Sequence, residues 1–300
     1  MREWTKLIYL ISIGLFWGAG FMFIKVCLDG NMSPLTLTNL RCFCSGFLCL
    51  LLAQTRKVPW VMPPLKTIIL IAIFTNAIPF TLCSYGEIYS NSATAGVLEG
   101  LIPLFTILLG PVLIKGVIIQ RNQFFGVLLG LSGIIIMFLT SYYDMVEGNA
   151  LGRLLLTLMS LSFGVGFILG EKHLMKYDPI QLSSLQHIIS GILLIPFTYL
   201  FENPMDAIHL SYSTWLSLLS LCMVSSLGWV FYYTLLKKSS ASFVSISTYI
   251  CPVVAIFLGR MFLDESLAWN VYLGATIIFM SVFILNRSNS QIPNPGAHPR

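Results

Sequence analysis

Runs of about 20 mostly apolar residues recur along almost the whole 300-residue chain. A helix of about 20 such residues crosses a bilayer core that is about 30 Å thick. Only 10% of the residues are charged, against roughly 25% in soluble domains, and the mean hydropathy of +0.84 excludes a disordered chain. We therefore predict an all-α polytopic membrane protein with ten transmembrane helices. The predicted spans are 7–28, 35–54, 67–86, 92–114, 123–140, 152–172, 181–201, 213–235, 242–263 and 269–286.

The distribution of Lys and Arg predicts how the spans are oriented, because cytoplasmic loops retain positive charge. On one side of the predicted bundle lie only Lys25, Arg153 and Arg260. The other side is far richer and holds Arg2, Lys6, Arg56, Lys57, Lys66, Lys115, Arg121, Lys172, Lys176, Lys237, Lys238, Arg287 and Arg300. We therefore expect both termini in the cytoplasm. Most acidic residues, including Glu87 and Glu265, are expected on the outer side.

The two halves of the chain resemble each other. A shift of about 145 residues places Phe16–Phe21 on Ser162–Phe167, and a shift of 149 places Pro103 on Pro252. An ordered series of matches at a nearly constant offset indicates duplication. Because each half has five spans, the second half enters the membrane from the opposite side, which makes an inverted-topology repeat. The predicted units are a first five-helix repeat at 1–143, a second at 148–286 and a disordered cytoplasmic tail at 287–300.

Inverted halves can exchange conformations, so a site between them faces either side of the membrane in turn. Glycines four residues apart predict close contacts between the moving helices. These pairs are Gly14 with Gly18, Gly126 with Gly130, and Gly166 with Gly170. Pro79, Pro103, Pro196 and Pro252 lie inside spans, where they kink helices and free backbone carbonyls. For the matched pair Pro103 and Pro252, a hinge or cavity-lining role and simple packing are both open.

A larger set of residues has the order and spacing of a known family. It comprises the Phe16–Phe21 motif, Arg41, Pro103, Pro252, Leu258–Gly259, Asp264–Glu265 and Gly274. The set resembles the duplicated EamA-type pattern of the drug/metabolite transporter superfamily over nearly the whole chain. The resemblance implies a bacterial inner-membrane secondary carrier, often an exporter of amino acids or related metabolites. One departure is that Glu265, which we expect to cap the tenth span, has Gly116 as its counterpart in the first half.

Arg41 and Glu99 are the strongest candidate site residues, because charge inside a span usually faces a cavity or a partner. They lie six and seven residues into their predicted spans, at depths of roughly 9 and 10.5 Å at ~1.5 Å per residue, so they could meet. One interpretation is an ion pair that holds two helices together. The other is that Arg41 binds a substrate carboxylate while Glu99 binds an amino group or a coupling proton.

Five further residues complete the predicted substrate site: Trp17, Gln186, His187, Thr248 and Tyr249. Gln186 and Thr248 are the repeat counterparts of the two charged candidates. His187 either relays protons or donates one hydrogen bond to a neighbouring helix. Trp17 and Tyr249 could line an apolar cavity, although a tyrosine near a span end also serves as an interfacial anchor.

Two other functions are open. His173 and Asp178 have the H-x4-D spacing of some membrane acyltransferases, in a chain without a soluble domain to bind an acyl donor. A non-transporting membrane receptor is the second alternative.

The expected partners follow from the same residues. The seven cysteines lack disulfide or zinc spacing, and no phosphate-binding motif is present, so we expect neither metal nor cofactor. Dispersed basic residues argue against nucleic acid. The expected partners are a small-molecule substrate and the lipid bilayer, with protons as a candidate coupling ion and a homodimer as a candidate assembly.

Overall fold

The computed structural model describes residues 3–114, 121–138, 149–174, 176–238, 244, 247–267 and 269–289. Helices occupy each of the ten predicted apolar runs, and the described residues include no strand. Twelve α-helices are present in these ranges: α1 (Glu3–Asp29), α2 (Pro34–Thr55), α3 (Leu65–Ala72), α4 (Ile78–Ile88), α5 (Ser92–Glu99), α6 (Ile102–Leu113), α7 (Arg121–Phe138), α8 (Asn149–Leu174), α9 (Pro179–Phe201), α10 (Tyr212–Leu236), α11 (Ser247–Leu263) and α12 (Trp269–Asn289). The predicted tail begins at 287, whereas α12 continues to Asn289, and residues 290–300 lie outside the described part.

Seven helical segments of the described chain are long and apolar enough to cross a membrane. They are Trp4–Asp29, Pro34–Thr55, Leu65–Ile88, Ser92–Leu113, Ala150–Leu174, Pro179–Phe201 and Tyr212–Leu236. The other three helices contain the shorter apolar stretches Phe124–Gly133, Ile250–Leu263 and Trp269–Ser281. The chain is therefore an all-α polytopic membrane protein.

One membrane-length segment is broken in its middle. Helix α5 ends at Glu99, Gly100–Leu101 form a turn, and α6 begins at Ile102. Pro103 lacks an N–H, so it cannot donate the helical hydrogen bond to the carbonyl of Glu99. Its repeat counterpart Pro252 lies inside the continuous helix α11. The predicted kink is thus present at Pro103 as an interruption of the helix, and it places a carboxylate at the break.

A second irregularity precedes α4. The residues Ile73–Ala77 form one wide, π-type turn between α3 and α4. Pro79 follows at the start of α4, where its missing N–H again breaks the regular hydrogen-bond ladder. The wide turn changes which residues face the bundle interior immediately before α4, the helix that carries Phe80 and Cys83.

Helices from the two halves pack against each other in matching positions. Helix α1 packs on α10 and α11, and α8 packs on α4 and on α5 and α6. Across the bundle α2 pairs with α9, α5 with α11, and α7 with α12. We call the end at which α1, α4 and α9 finish the distal end, and the opposite end the proximal end.

The predicted glycine contacts are confirmed in part. An added Cβ at Gly14 would lie 2.5 Å from Ile250 of α11, and one at Gly18 would lie 2.6 Å from the carbonyl oxygen of Cys251. The same prediction is wrong for Gly170, where no atom lies within 4 Å of an added Cβ. Close approach therefore joins α1 to α11, whereas Gly170 is not a contact point.

Candidate functional site

A cavity lies in the middle of the bundle, between α1, α2, α4, α5, α8 and α10. Its lining residues are Trp17, Gly20, Phe21, Ile24, Arg41, Phe80, Cys83, Glu99, Met159, Phe163, Phe167 and Trp229. About 30 Å³ of it is open to the centres of water-sized molecules, which is room for about two waters. The cavity thus has to widen before it accepts a metabolite.

Arg41 reaches the cavity from α2, seven residues after Pro34 and therefore about 10 Å from the start of the helix. Only 8% of the residue is exposed. Its Nε donates a hydrogen bond of 2.8 Å to Ser225 Oγ on α10, and its guanidinium carbon lies 3.5 Å from the centroid of the Phe80 ring. The guanidinium donates no other hydrogen bond to the described residues, so its two Nη groups are available to a molecule in the cavity.

Glu99 reaches the same cavity as the last residue of α5, also seven residues from the start of its helix. It is 6% exposed, and its Oε2 accepts a hydrogen bond from the thiol of Cys251 on α11. No other described residue donates to this carboxylate. The ion pairs recorded within 4.0 Å for the described residues do not include one between Arg41 and Glu99. The two groups therefore line one cavity without forming the ion pair that was one of the two interpretations of these residues.

Aromatic rings form the rest of the wall. The Trp17 ring centroid lies 5.5 Å from that of Trp229, which lies 5.9 Å from Phe167. Phe163 continues this wall towards Phe80, at a centroid distance of 6.2 Å. Such a wall can accommodate an apolar or aromatic group, while the carboxylate and the guanidinium have the charges to bind a cationic and an anionic group.

Gln186 and His187 lie next to the cavity but do not line it. Both are fully buried in α9. Tyr233 donates to Gln186 Oε1 at 2.7 Å, and His187 Nδ1 lies 2.7 Å from the carbonyl oxygen of Ser183. The Nε2 atoms of Gln186 and His187 have no hydrogen-bond partner among the described residues. The His187 ring lies 6.1 Å from that of Phe80, so this polar group borders the cavity wall.

The other predicted residues have different positions. Thr248 is 5% exposed near the start of α11 and is not a lining residue. The side chain of Tyr249 lies outside the described part of the chain. His173 is exposed, and Asp178 accepts hydrogen bonds from the backbone N–H groups of Ile180 and Gln181, which cap α9. No hydrogen bond between His173 and Asp178 occurs in the described structure.

Sequence reasoning misplaced Glu265. We expected it to cap the tenth span, but its carboxylate caps α5 instead. It accepts hydrogen bonds from Ser92 N at 2.8 Å, Ser92 Oγ at 2.9 Å and Ala93 N at 3.1 Å. Glu202 does the same for α2, where it accepts from the backbone N–H groups of Leu35 and Thr36. These caps join distant parts of the chain, and no local sequence signal marks them.

Two functional neighbours were also missed, Ser225 and Cys251. Each holds one of the charged groups, yet each is a small residue within a long apolar run. Only the tertiary packing of α10 and α11 brings them to the cavity.

Comparison with known proteins gives one consistent result. The sequence matches the EamA-like transporter family twice, over residues 4–139 and 150–287. "Uncharacterized transporter YoaV" of Bacillus subtilis (strain 168) is 23% identical, over 93% of this chain and 97% of that protein. An "uncharacterized transporter" of Archaeoglobus fulgidus is 23% identical over 96% and 99%, and "uncharacterized inner membrane transporter YedA" of Escherichia coli (strain K12) is 23% identical over 95% and 91%. A solved crystal structure superimposes with a TM-score of 0.66 over 97% of this chain and 100% of that chain, at 16% identity, which shows the fold alone.

Proposed function

The chain belongs to the EamA-like transporter family and is a multi-pass membrane transporter, and from this premise we propose that it moves a small zwitterionic metabolite by alternating access. The substrate class is an amino acid or a related compound. Arg41 binds its carboxylate, Glu99 binds its ammonium group, and the aromatic wall holds its side chain. Trp17 belongs to this wall, whereas Gln186 and His187, which lie next to the cavity, serve the approach to the site.

One observation carries this proposal. The cavity holds a buried cation and a buried carboxylate that do not neutralise each other. A buried charge is costly unless an opposite charge pairs with it. A site with a separate cation and carboxylate therefore fits a ligand that carries both an anionic and a cationic group. The guanidinium, with one hydrogen bond to Ser225 and two unused Nη groups, has the geometry for a bidentate carboxylate.

Alternating access is supported by the way the helices pack. In the proposed repeat α1 corresponds to α8, α3 and α4 to α10, and α5 and α6 to α11. The packing of α1 on α10 and α11 then repeats as the packing of α8 on α4 and on α5 and α6. Matching contacts are what a two-fold axis in the membrane plane would produce, and the cavity lies between the two sets.

We propose ten membrane crossings, made by two five-helix units at 1–143 and 148–286. Both termini are cytoplasmic, because the proximal loops carry most of the Lys and Arg residues. The distal end then faces away from the cytoplasm, and the proposed direction is export from the cell. The energy comes from exchange or from a proton gradient, since the sequence has no phosphate-binding motif.

The test uses purified protein in proteoliposomes that contain a mixture of amino acids and related zwitterions, with and without a pH gradient. For any transported compound, the matched analogues without the amino group and without the carboxyl group are compared. We expect transport of the zwitterion alone. Failure of every zwitterion to move through a folded, correctly inserted protein would overturn the proposal and favour a non-transporting receptor.

Two variants assign the charges. Arg41→Met should abolish transport, and Glu99→Gln should shift the preference from the zwitterion to its deaminated carboxylic acid, because Gln cannot neutralise an ammonium group. The matched control is Arg56→Met at the exposed end of α2. The shift in preference separates a binding role from a folding defect. If both cavity variants insert, fold and transport like the control, the assignment is wrong.

A further inference from the structure

A second buried carboxylate lies outside the substrate cavity. Sequence reasoning placed Glu87 with the acidic residues of the outer side, but the structure places it in the last turn of α4 with 0% exposure. Its Oε1 accepts a hydrogen bond of 3.5 Å from the thiol of Cys83, and its Oε2 has no hydrogen-bond partner among the described residues. A fully buried carboxyl oxygen without a partner calls for a ligand, since its desolvation is otherwise uncompensated.

The position of Glu87 relates it to the cavity. Phe80 and Cys83 line the cavity, and Glu87 follows Cys83 by four residues on the same face of α4. At ~1.5 Å per residue it lies about 6 Å further towards the distal end. Glu87 therefore stands between the substrate cavity and the distal side.

The nearest cation is bound to other groups. Lys25 Nζ on α1 donates to the backbone carbonyl oxygen of Glu87 at 3.0 Å and lies 3.5 Å from Asp29 Oδ1. It thus ties α1 to α4 through the main chain, while the Glu87 carboxyl group is not its partner. A turn of the Glu87 side chain would bring its carboxylate to the same ammonium group.

The other charged and titratable groups near Glu87 come from several helices. They are Cys83 on α4, Cys27 and Asp29 on α1, Arg41 on α2, Glu99 on α5, and Glu265 between α11 and α12. The carboxylates of Asp29, Glu99 and Glu265 would repel an anion bound in this region. Arg41 is already in contact with Ser225 and Phe80. No group of His, Cys, Asp and Glu in the described residues could hold a metal ion. The surroundings therefore fit a proton better than a metal cation, which needs several oxygen ligands.

We propose that Glu87 is a proton-binding site that couples proton movement to transport. In the state described, the proton is on Oε2 and Lys25 binds the backbone carbonyl. When the O–H bond breaks, the proton passes to water on the distal side, and Lys25 neutralises the carboxylate that is left. That ion pair draws α1 against α4 and changes the distal end of the pathway, so protonation and distal opening are linked. This inference rests on the proposed transport function.

The first test does not depend on transport. Infrared difference spectroscopy of the purified, substrate-free protein at neutral pH compares wild type with Glu87→Gln. We expect the carbonyl band of a protonated carboxylic acid in wild type and its loss in the variant. Asp206→Asn, which changes an exposed distal carboxylate, is the matched control and should leave the band unchanged. If Glu87→Gln removes no carbonyl band from the wild-type spectrum, the proposal is overturned.

The second test measures coupling as a ratio. In proteoliposomes, the accumulation driven by a pH gradient is divided by the rate of substrate exchange without a gradient. Glu87→Gln and Lys25→Met should each lower this ratio by roughly tenfold, whereas Asp206→Asn should not. An unchanged ratio in Glu87→Gln would overturn the inference. Absence of both exchange and accumulation in wild type would instead refute the proposed function, and the infrared band would still report on the proton.

Discussion

The contact between α1 and α11 yields the sharpest stability prediction, through Gly18→Ala. An alanine methyl carbon there would lie 2.6 Å from the carbonyl oxygen of Cys251 and 2.7 Å from Val254 Cβ. An ordinary contact needs at least 3.4 Å, so the two helices must separate by about 0.8 Å. Forcing a methyl group into such a contact costs about 1–3 kcal/mol, while alanine gains up to ~1 kcal/mol of helix propensity over glycine. The expected net loss is about 0–3 kcal/mol.

Gly170→Ala is the matched control. It is the same substitution inside a helix, but no atom lies within 4 Å of the added carbon, so only the propensity gain of up to ~1 kcal/mol applies. Equilibrium unfolding in mixed micelles measures both variants. The gain cancels in the comparison, and the difference between the variants, about 1–3 kcal/mol, reports the cost of separating the helices. Equal free energies of unfolding for the two variants would refute the reasoning.

Substitutions at three further positions test the site and its supports. Glu265→Gln keeps the shape of the α5 cap but removes its charge, so we expect the free energy of unfolding to fall by about 1–2 kcal/mol in the same assay, and no change would contradict the cap. Gly228→Ala places a carbon 2.5 Å from Trp17 Nε1 and pushes the indole towards the cavity. We therefore expect transport to fall roughly tenfold. Transport at the wild-type rate would show that the aromatic wall tolerates this displacement of Trp17. Cys251→Ala should weaken substrate binding while Cys251→Ser retains it, because only Ser replaces the donor to Glu99; equal affinities would exclude this role.

Much of the fold was accessible from sequence because a bilayer imposes one strong rule on every span. Apolar length alone predicted the helices, and Pro103 marked the break that leaves Glu99 at a helix end. Depth counting also placed Arg41 and Glu99 at one level, and both do line one cavity. These features depend on local sequence and on the bilayer.

Other features depend on how helices rotate and pack, which the apolar pattern does not report. Because lipid and the protein interior are both apolar, the apolar pattern of a span does not show which of its faces points inwards. Spacing alone therefore left both interpretations of Arg41 and Glu99 open. The burial of Glu87 was not predicted, because the predicted span ended one residue before it, at 86. The helix continues to Ile88, and packing by α1 and α8 buries the carboxyl group.

The two halves contribute different side chains to the cavity, so the duplication by itself does not identify the site. Both charged groups of the cavity come from the first half, since the repeat counterparts of Arg41 and Glu99 are the neutral Gln186 and Thr248. The second half supplies their hydrogen-bond partners, Ser225 on α10 and the Cys251 thiol on α11.

Half of the aromatic lining residues, Phe163, Phe167 and Trp229, also come from the second half. Both halves of the chain therefore contribute side chains to the cavity. Each charge on one half is held by a residue of the other, so a relative movement of the halves must change how both charges are held. In the proposed alternating-access cycle, this would link the movement of the halves to the affinity for substrate.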